Sequence, residues 1–154
     1  MKRNHEQGFS LVEVVLALGL LAGVLISIAG LFILGSQQVK SGRTATEALS
    51  VARGILEEMD GWGFRQTYQL FGIDGSATTT ATVDTRADAY AAKWQTTLDN
   101  ALFESHAEIQ IESLGPVGGP IPALDATRAI RVVVTVYWDE RSRNRQIRLG
   151  TVRM

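Results

Sequence analysis

From Val14 to Leu34 the chain runs 21 residues without a charged side chain, and on either side of that run its polar and apolar positions follow a different rhythm. A helix of that length spans about 31 Å at 1.5 Å per residue, close to the thickness of a bilayer's hydrocarbon layer. Beyond it Leu49, Ala52, Leu56 and Met59 recur at spacings of three and four, with Arg53, Glu57 and Glu58 on other faces. The two patterns predict one long helix from Phe9 to about Asp60, closed by Gly61 and Gly63. Its softest part is expected between Gly35 and Gly42, where glycine, serine and glutamine replace the better helix formers.

The remainder alternates between loop, helix and strand signals. Trp62 to Asp84 reads mostly as loop, from its glycines at 61, 63, 72 and 75 and the Thr78-Thr79-Thr80 run. Tyr90, Trp94, Leu98 and Leu102 form an i, i+4 stripe, which predicts a second helix from Arg86 to Phe103 with Asp84 or Thr85 as its cap and the stripe in a core. Glu108 to Glu112 alternates strictly, as a half-buried strand does. Ile130, Val132, Val134, Val136 and Trp138 share one face of a second strand, and Arg145 to Val152 makes a third around Ile147 and Leu149. Asp139 to Asn144 is a hairpin loop. Pro116, Pro120 and Pro122 keep the connection after the first strand irregular. The prediction is an α+β domain, a small three-stranded antiparallel meander packed on the C-terminal half of the long helix.

Composition narrows the function classes. The 154-residue chain suffices for one anchored segment and one small domain, and it has no cysteine to form a disulfide or a thiolate metal site. Its net charge of −1 conceals an asymmetry: Thr44 to Glu112 holds eleven acidic and four basic residues, whereas from Tyr137 onward five arginines face Asp139 and Glu140. No broad basic face argues for a nucleic acid partner. Asp74, Asp84 and Asp88 lack the dense spacing of a calcium loop and read as solvated acids. No phosphate-cradling glycine loop, paired-histidine metal motif or nucleophile elbow is present, so neither an enzyme, a cofactor nor a small-molecule substrate is expected. His106 has no catalytic companion in the sequence, and Glu57-Glu58 reads as a solvated helix face.

Three readings fit the apolar segment. Ser27-Ile28-Ala29 before Gly30 is a passable small-x-small site for a cleaved secretory signal. A plain single-span anchor, with Lys2 and Arg3 holding its start in the cytoplasm, fits the length but leaves Glu13 unexplained, because a carboxylate at that depth is costly without a partner. The third reading rests on Gly8-Phe9-Ser10-Leu11-Val12-Glu13 directly before the apolar run, after a short basic leader. This sequence resembles the class III signal of type IV pilins and type II secretion pseudopilins.

The resemblance implies cleavage by prepilin peptidase after Gly8, N-methylation of Phe9 as the new first residue, and pairing of Glu13 with the amine of a neighbouring subunit during assembly. It implies a leader over residues 1–8, a membrane-spanning and assembly half over 9–34, an amphipathic half over 35–60 and a periplasmic pilin-like α+β domain over 61–154. The family's helix proline is absent here, with Gly30 in its vicinity. Ala91-Ala92-Lys93-Trp94-Gln95-Thr96-Thr97-Leu98 and Val134-Thr135-Val136-Tyr137-Trp138-Asp139, with a late Arg-x-x-x-Leu-x-Thr, are similar to PilV-type minor pilins and in part to I-type pseudopilins. The expected partners are therefore the peptidase, other pilin or pseudopilin subunits and inner-membrane lipid. The expected setting is the inner membrane with the leader cytoplasmic, followed by a pilus or pseudopilus. A tip module for adhesion or DNA uptake is the alternative; it would use the loops from Gly63 to Thr82 and Gly115 to Pro122, or the arginines at 141, 143 and 145.

Overall fold

The computed structural model describes residues 10–141 and 143–154. In chain order these form α1 (Leu11–Asp60), α2 (Gln66–Gln69), β1 (Thr80–Asp84), α3 (Ala92–Ala101), β2 (His106–Ser113), β3 (Ile130–Asp139) and β4 (Asn144–Arg153). The chain divides into two compact units, one ending at Lys40 and the other running from Ser41 to Met154.

From Leu11 to Lys40 the described part of the first unit is helix alone. The Ser10 carbonyl accepts from the amides of Glu13 (2.9 Å) and Val14 (3.2 Å), which opens α1. Its most apolar 18 residues have a mean hydropathy of 2.7, and the helix is long and apolar enough to cross a membrane. Leucine, valine and isoleucine side chains all along it are exposed, from Leu11 at 80% to Leu34 at 58%. Water is a poor solvent for such a surface. The helix is compatible with a single-pass membrane anchor.

The second unit is α+β. Its sheet is antiparallel throughout with strands in the order β1-β2-β3-β4. The register aligns Val83, Ile109, Val134 and Leu149 in one row across all four strands, all within or packed against the core. Against this face lie Ala48, Ala52, Ile55, Leu56 and Met59 of α1, and Trp94 and Leu98 of α3. Ala48 rather than Leu49 belongs to the buried stripe, because positions 48, 52, 55, 56 and 59 fall on one side of the helix and Leu49 turns to its flank. Every alternate residue predicted for the inner face of β3, from Ile130 to Trp138, is buried.

Two expectations need correction. The sheet has four strands, not three, because Thr80–Asp84 is a strand and not loop. Thr80 and Thr82 face solvent while Val83 is buried, an alternation five residues long that a threonine-rich run conceals. The second helix covers only Ala92–Ala101, short of the predicted 86–103. Ahead of it the chain turns twice, and the side chain that organises the entry is Asp88, neither Asp84 nor Thr85. Asp88 Oδ1 accepts from the amides of Tyr90 (2.8 Å) and Ala91 (2.9 Å). Asp84 holds Arg86 instead, and the buried Thr85 hydroxyl donates to Gln95 (2.6 Å) while accepting from the Ala107 amide (3.0 Å).

Candidate functional site

Gly8 and Phe9 lie outside the described residues. Glu13 is the first charged side chain of α1 and stands in its first turn, where unpaired amides and the helix dipole favour a carboxylate. Ala17 and Leu21 follow it at i+4 and i+8, so the carboxylate heads an apolar stripe. Gly19 and Gly23 are also four apart, and a Cβ built on either meets nothing within 4 Å. Small residues at that spacing let a second helix approach closely inside a membrane. The sequence reading of the segment passed over this pair, although the Gly-x-x-x-Gly spacing was visible there.

In the second unit, the end of α1 is held by a side chain from the far end of the fold. Arg153, on β4, donates through Nη1 to the carbonyl of Met59 (2.8 Å) and through Nη2 to those of Asp60 (3.2 Å) and Trp62 (2.6 Å). It also donates to the Thr67 hydroxyl and lies 3.7 Å from the Asp60 carboxylate. A cation at a helix C-terminus satisfies orphan carbonyls and opposes the dipole. Nothing in the spacing of Arg153 announced this role.

Glu57 and Glu58 lie on an exposed helix face, as their pattern implied, but Glu58 also has partners. It pairs with Lys93 and accepts from the Trp94 indole at 2.8 Å, tying α1 to α3. Burial pulls its carboxyl upward, but the hydrogen bonds from Lys93 and Trp94 prevail and hold it below its ordinary value. The Lys93 ammonium also lies 4.1 Å from the Tyr90 ring and 4.9 Å from that of Trp94. The aromatic side chains are thus packed together beneath a half-exposed ion pair, in keeping with a core role.

The first loop considered for recognition is tied to Leu124 and Asp125, which lie just beyond the second. The Leu124 amide donates to Thr78 (2.9 Å), that of Asp125 to Gly75 (3.0 Å), and the Tyr68 hydroxyl to Asp125. Gly75 is required there, since a Cβ would come within 2.6 Å of the Tyr68 ring. Burial and the Asp125 carboxylate push the Tyr68 phenol up to about 12. His106 stacks on Tyr137 with ring centroids 4.8 Å apart and lines an open polar groove of about 760 Å³. Among the described residues, no group of three histidine, aspartate or glutamate side chains is placed to hold a metal ion. Asp74, Asp84 and Asp88 are occupied separately by Ser76, Arg86 and the α3 entry turn. Arg145 lies 3.4 Å from Glu140 within the hairpin.

The chain matches no protein-family model, no curated protein and no solved structure.

Proposed function

We propose that this chain is a minor pilin-like structural subunit, cut by prepilin peptidase after Gly8 and assembled through α1 into a type IV pilus or a secretion pseudopilus. The observation that carries this reading is a helix with its apolar side chains exposed from Leu11 to Leu34 and a carboxylate in its first turn. Side chains so exposed call for an apolar surrounding, and a carboxylate in hydrocarbon is stable only when paired. The amine created at Phe9 of a neighbouring subunit is a partner of the right charge, and the Gly19–Gly23 pair lets the helices approach. The subunit enters the inner membrane with its leader inside and its α+β domain in the periplasm. Its role is structural, without catalysis or cofactor.

Intact-mass and N-terminal analysis of the membrane-extracted protein tests the processing. A chain starting at N-methylated Phe9 supports the reading; one starting at Gly30, or retaining residues 1–8, overturns it. Glu13→Ala is expected to leave insertion and cleavage near normal while depleting the protein from sheared filaments. Undiminished incorporation of that variant would remove the pairing from the mechanism.

A further inference from the structure

Two contacts fix which end of the sheet lies at which end of the α1 segment packed on it. Ser41, the first residue of the α+β unit, donates through its hydroxyl to Glu140 (2.9 Å), in the turn between β3 and β4. Arg153, near the other end of β4, holds the carbonyls of Met59, Asp60 and Trp62. About 28 Å of helix separates Ser41 from Asp60. The β3–β4 hairpin therefore stands where the chain enters this unit, and the loop between Ser113 and Ile130 leaves the sheet at the far end. The apolar run ends at Leu34, seven residues before Ser41. Even fully extended, that stretch spans no more than about 25 Å. The tether alone keeps the hairpin close to any bilayer that the apolar run crosses.

Glu140 and Arg143 exchange backbone hydrogen bonds of 2.9 and 3.2 Å, which closes the hairpin. Arg141 and Arg143 stand beyond the last pair of the ladder, Asp139 with Asn144. Both are exposed, and neither is in an ion pair among the described residues. Arg141 has a φ of 54°, a left-handed backbone that glycine adopts without strain. A side chain kept in such a conformation points to a use for it. Beside the hairpin, the Phe103 carbonyl accepts from the Asp139 amide (3.1 Å), and the Phe103 side chain is 71% exposed. Of the acids nearby, Glu140 is held by Ser41 and Arg145, Asp139 is partly buried, and Glu104 is exposed.

We propose that this end of the α+β unit rests on the bilayer surface, with Arg141 and Arg143 on the phosphates of anionic phospholipid and Phe103 among the headgroups. The inference rests on the membrane anchor in the proposed function and is independent of cleavage after Gly8. A guanidinium binds phosphate in a two-pronged geometry, and aromatic rings favour the boundary between hydrocarbon and water. Two cations alone hold a lipid surface weakly. Tethering makes up the difference, because a linked site meets its surface at high effective concentration.

The cysteine-free chain accepts a single label. Asn144→Cys lies beside the hairpin and leaves Phe103 and both arginines in place, whereas Val117→Cys lies on the loop at the far end. Full-length chains bearing one fluorophore are reconstituted into vesicles of phosphatidylcholine and phosphatidylglycerol, with some headgroups carrying a nitroxide. Quenching at position 144 is expected to exceed that at 117 several-fold. It should fall to the level of 117 when Arg141→Glu and Arg143→Glu are combined, and Arg141→Gln with Arg143→Gln should lie between. Circular dichroism matching the parent's shows that the reversed variant keeps its fold. Quenching should also fall in phosphatidylcholine alone and in about 1 M salt, where screening shortens to about 3 Å. Glu104→Gln should raise it. Equal quenching at the two positions, or quenching at 144 that survives charge reversal, overturns the contact. Resistance to alkaline carbonate is read in the same samples. An inserted chain without quenching at 144 defeats the surface contact alone; a chain that carbonate strips from the vesicles defeats the anchor, and this contact with it.

Discussion

Arg153 ties the last strand of the α+β unit to the end of α1. Its guanidinium reaches three carbonyls at the end of α1 and the Thr67 hydroxyl, with 14% of its side chain exposed. Hydrogen bonds from a charged, largely buried donor are worth more than neutral ones, and their loss leaves carbonyls unsatisfied. Arg153→Ala is expected to lower unfolding stability by about 2–3 kcal/mol, measured by urea denaturation in detergent. Arg153→Lys should recover only part of this, because an ammonium cannot reproduce the planar fork. Tyr68 gives a prediction in pH. Its phenol is raised in the folded state, so folding favours the protonated form. The stabilisation is full below the phenol's ordinary value and is lost as pH rises toward about 12. Over that interval the native chain should lose stability more steeply than Tyr68→Phe, as followed by circular dichroism. At this scale the sequence was legible where chemistry follows from position alone, as with Glu13 in the first turn of an apolar helix. It was silent on Arg153 and Tyr68, whose partners lie 94 and 57 residues away.

Among the elements, α1 is the one whose sequence pattern and structure agree most closely. Its apolar run, its buried stripe and its end at Asp60 all follow from local periodicity, since a helix forms its hydrogen bonds within itself. Gly54 is the glycine of its core-forming half that invites substitution. It is exposed six residues before the helix ends, and a Cβ there meets nothing within 4 Å. Gly54→Ala is therefore expected to raise stability by about 0.5–1 kcal/mol, read as a rise in urea midpoint at unchanged slope. Gly150 is the contrary case, because a Cβ there would lie 3.2 Å from both the Val132 carbonyl and a Val133 methyl. Among the strands, β2, β3 and β4 were visible as alternation or as a β-branched run. β1 was not, because its five residues carry weak alternation and it becomes a strand by pairing with Glu108–Glu112. The start of α3 was misplaced for a related reason. Alanines and a tyrosine continue the helical pattern backward from Ala92, while the Asp88 turn interrupts it.

For the whole molecule, the division between Lys40 and Ser41 separates a helix with an exposed apolar surface from a unit with its own core. A fragment spanning Ser41–Met154 keeps every buried hydrophobic residue described, from Ala48 to Trp138. It is expected to be water-soluble and to unfold in a single cooperative step by circular dichroism and near-ultraviolet absorbance. A fragment that stayed molten would show that the core depends on the preceding helix. The amino-acid sequence by itself determined the membrane-length helix, the position of the carboxylate at its head, the inner faces of three strands and the α+β class. Each of these is a periodicity or a length, and both are properties of neighbours along the chain. Tertiary structure alone decided the fourth strand, the Arg153 clamp and the Glu58 tie to α3. Each of those arises when residues far apart in sequence are brought within a few ångströms, and local sequence does not encode which distant groups will meet.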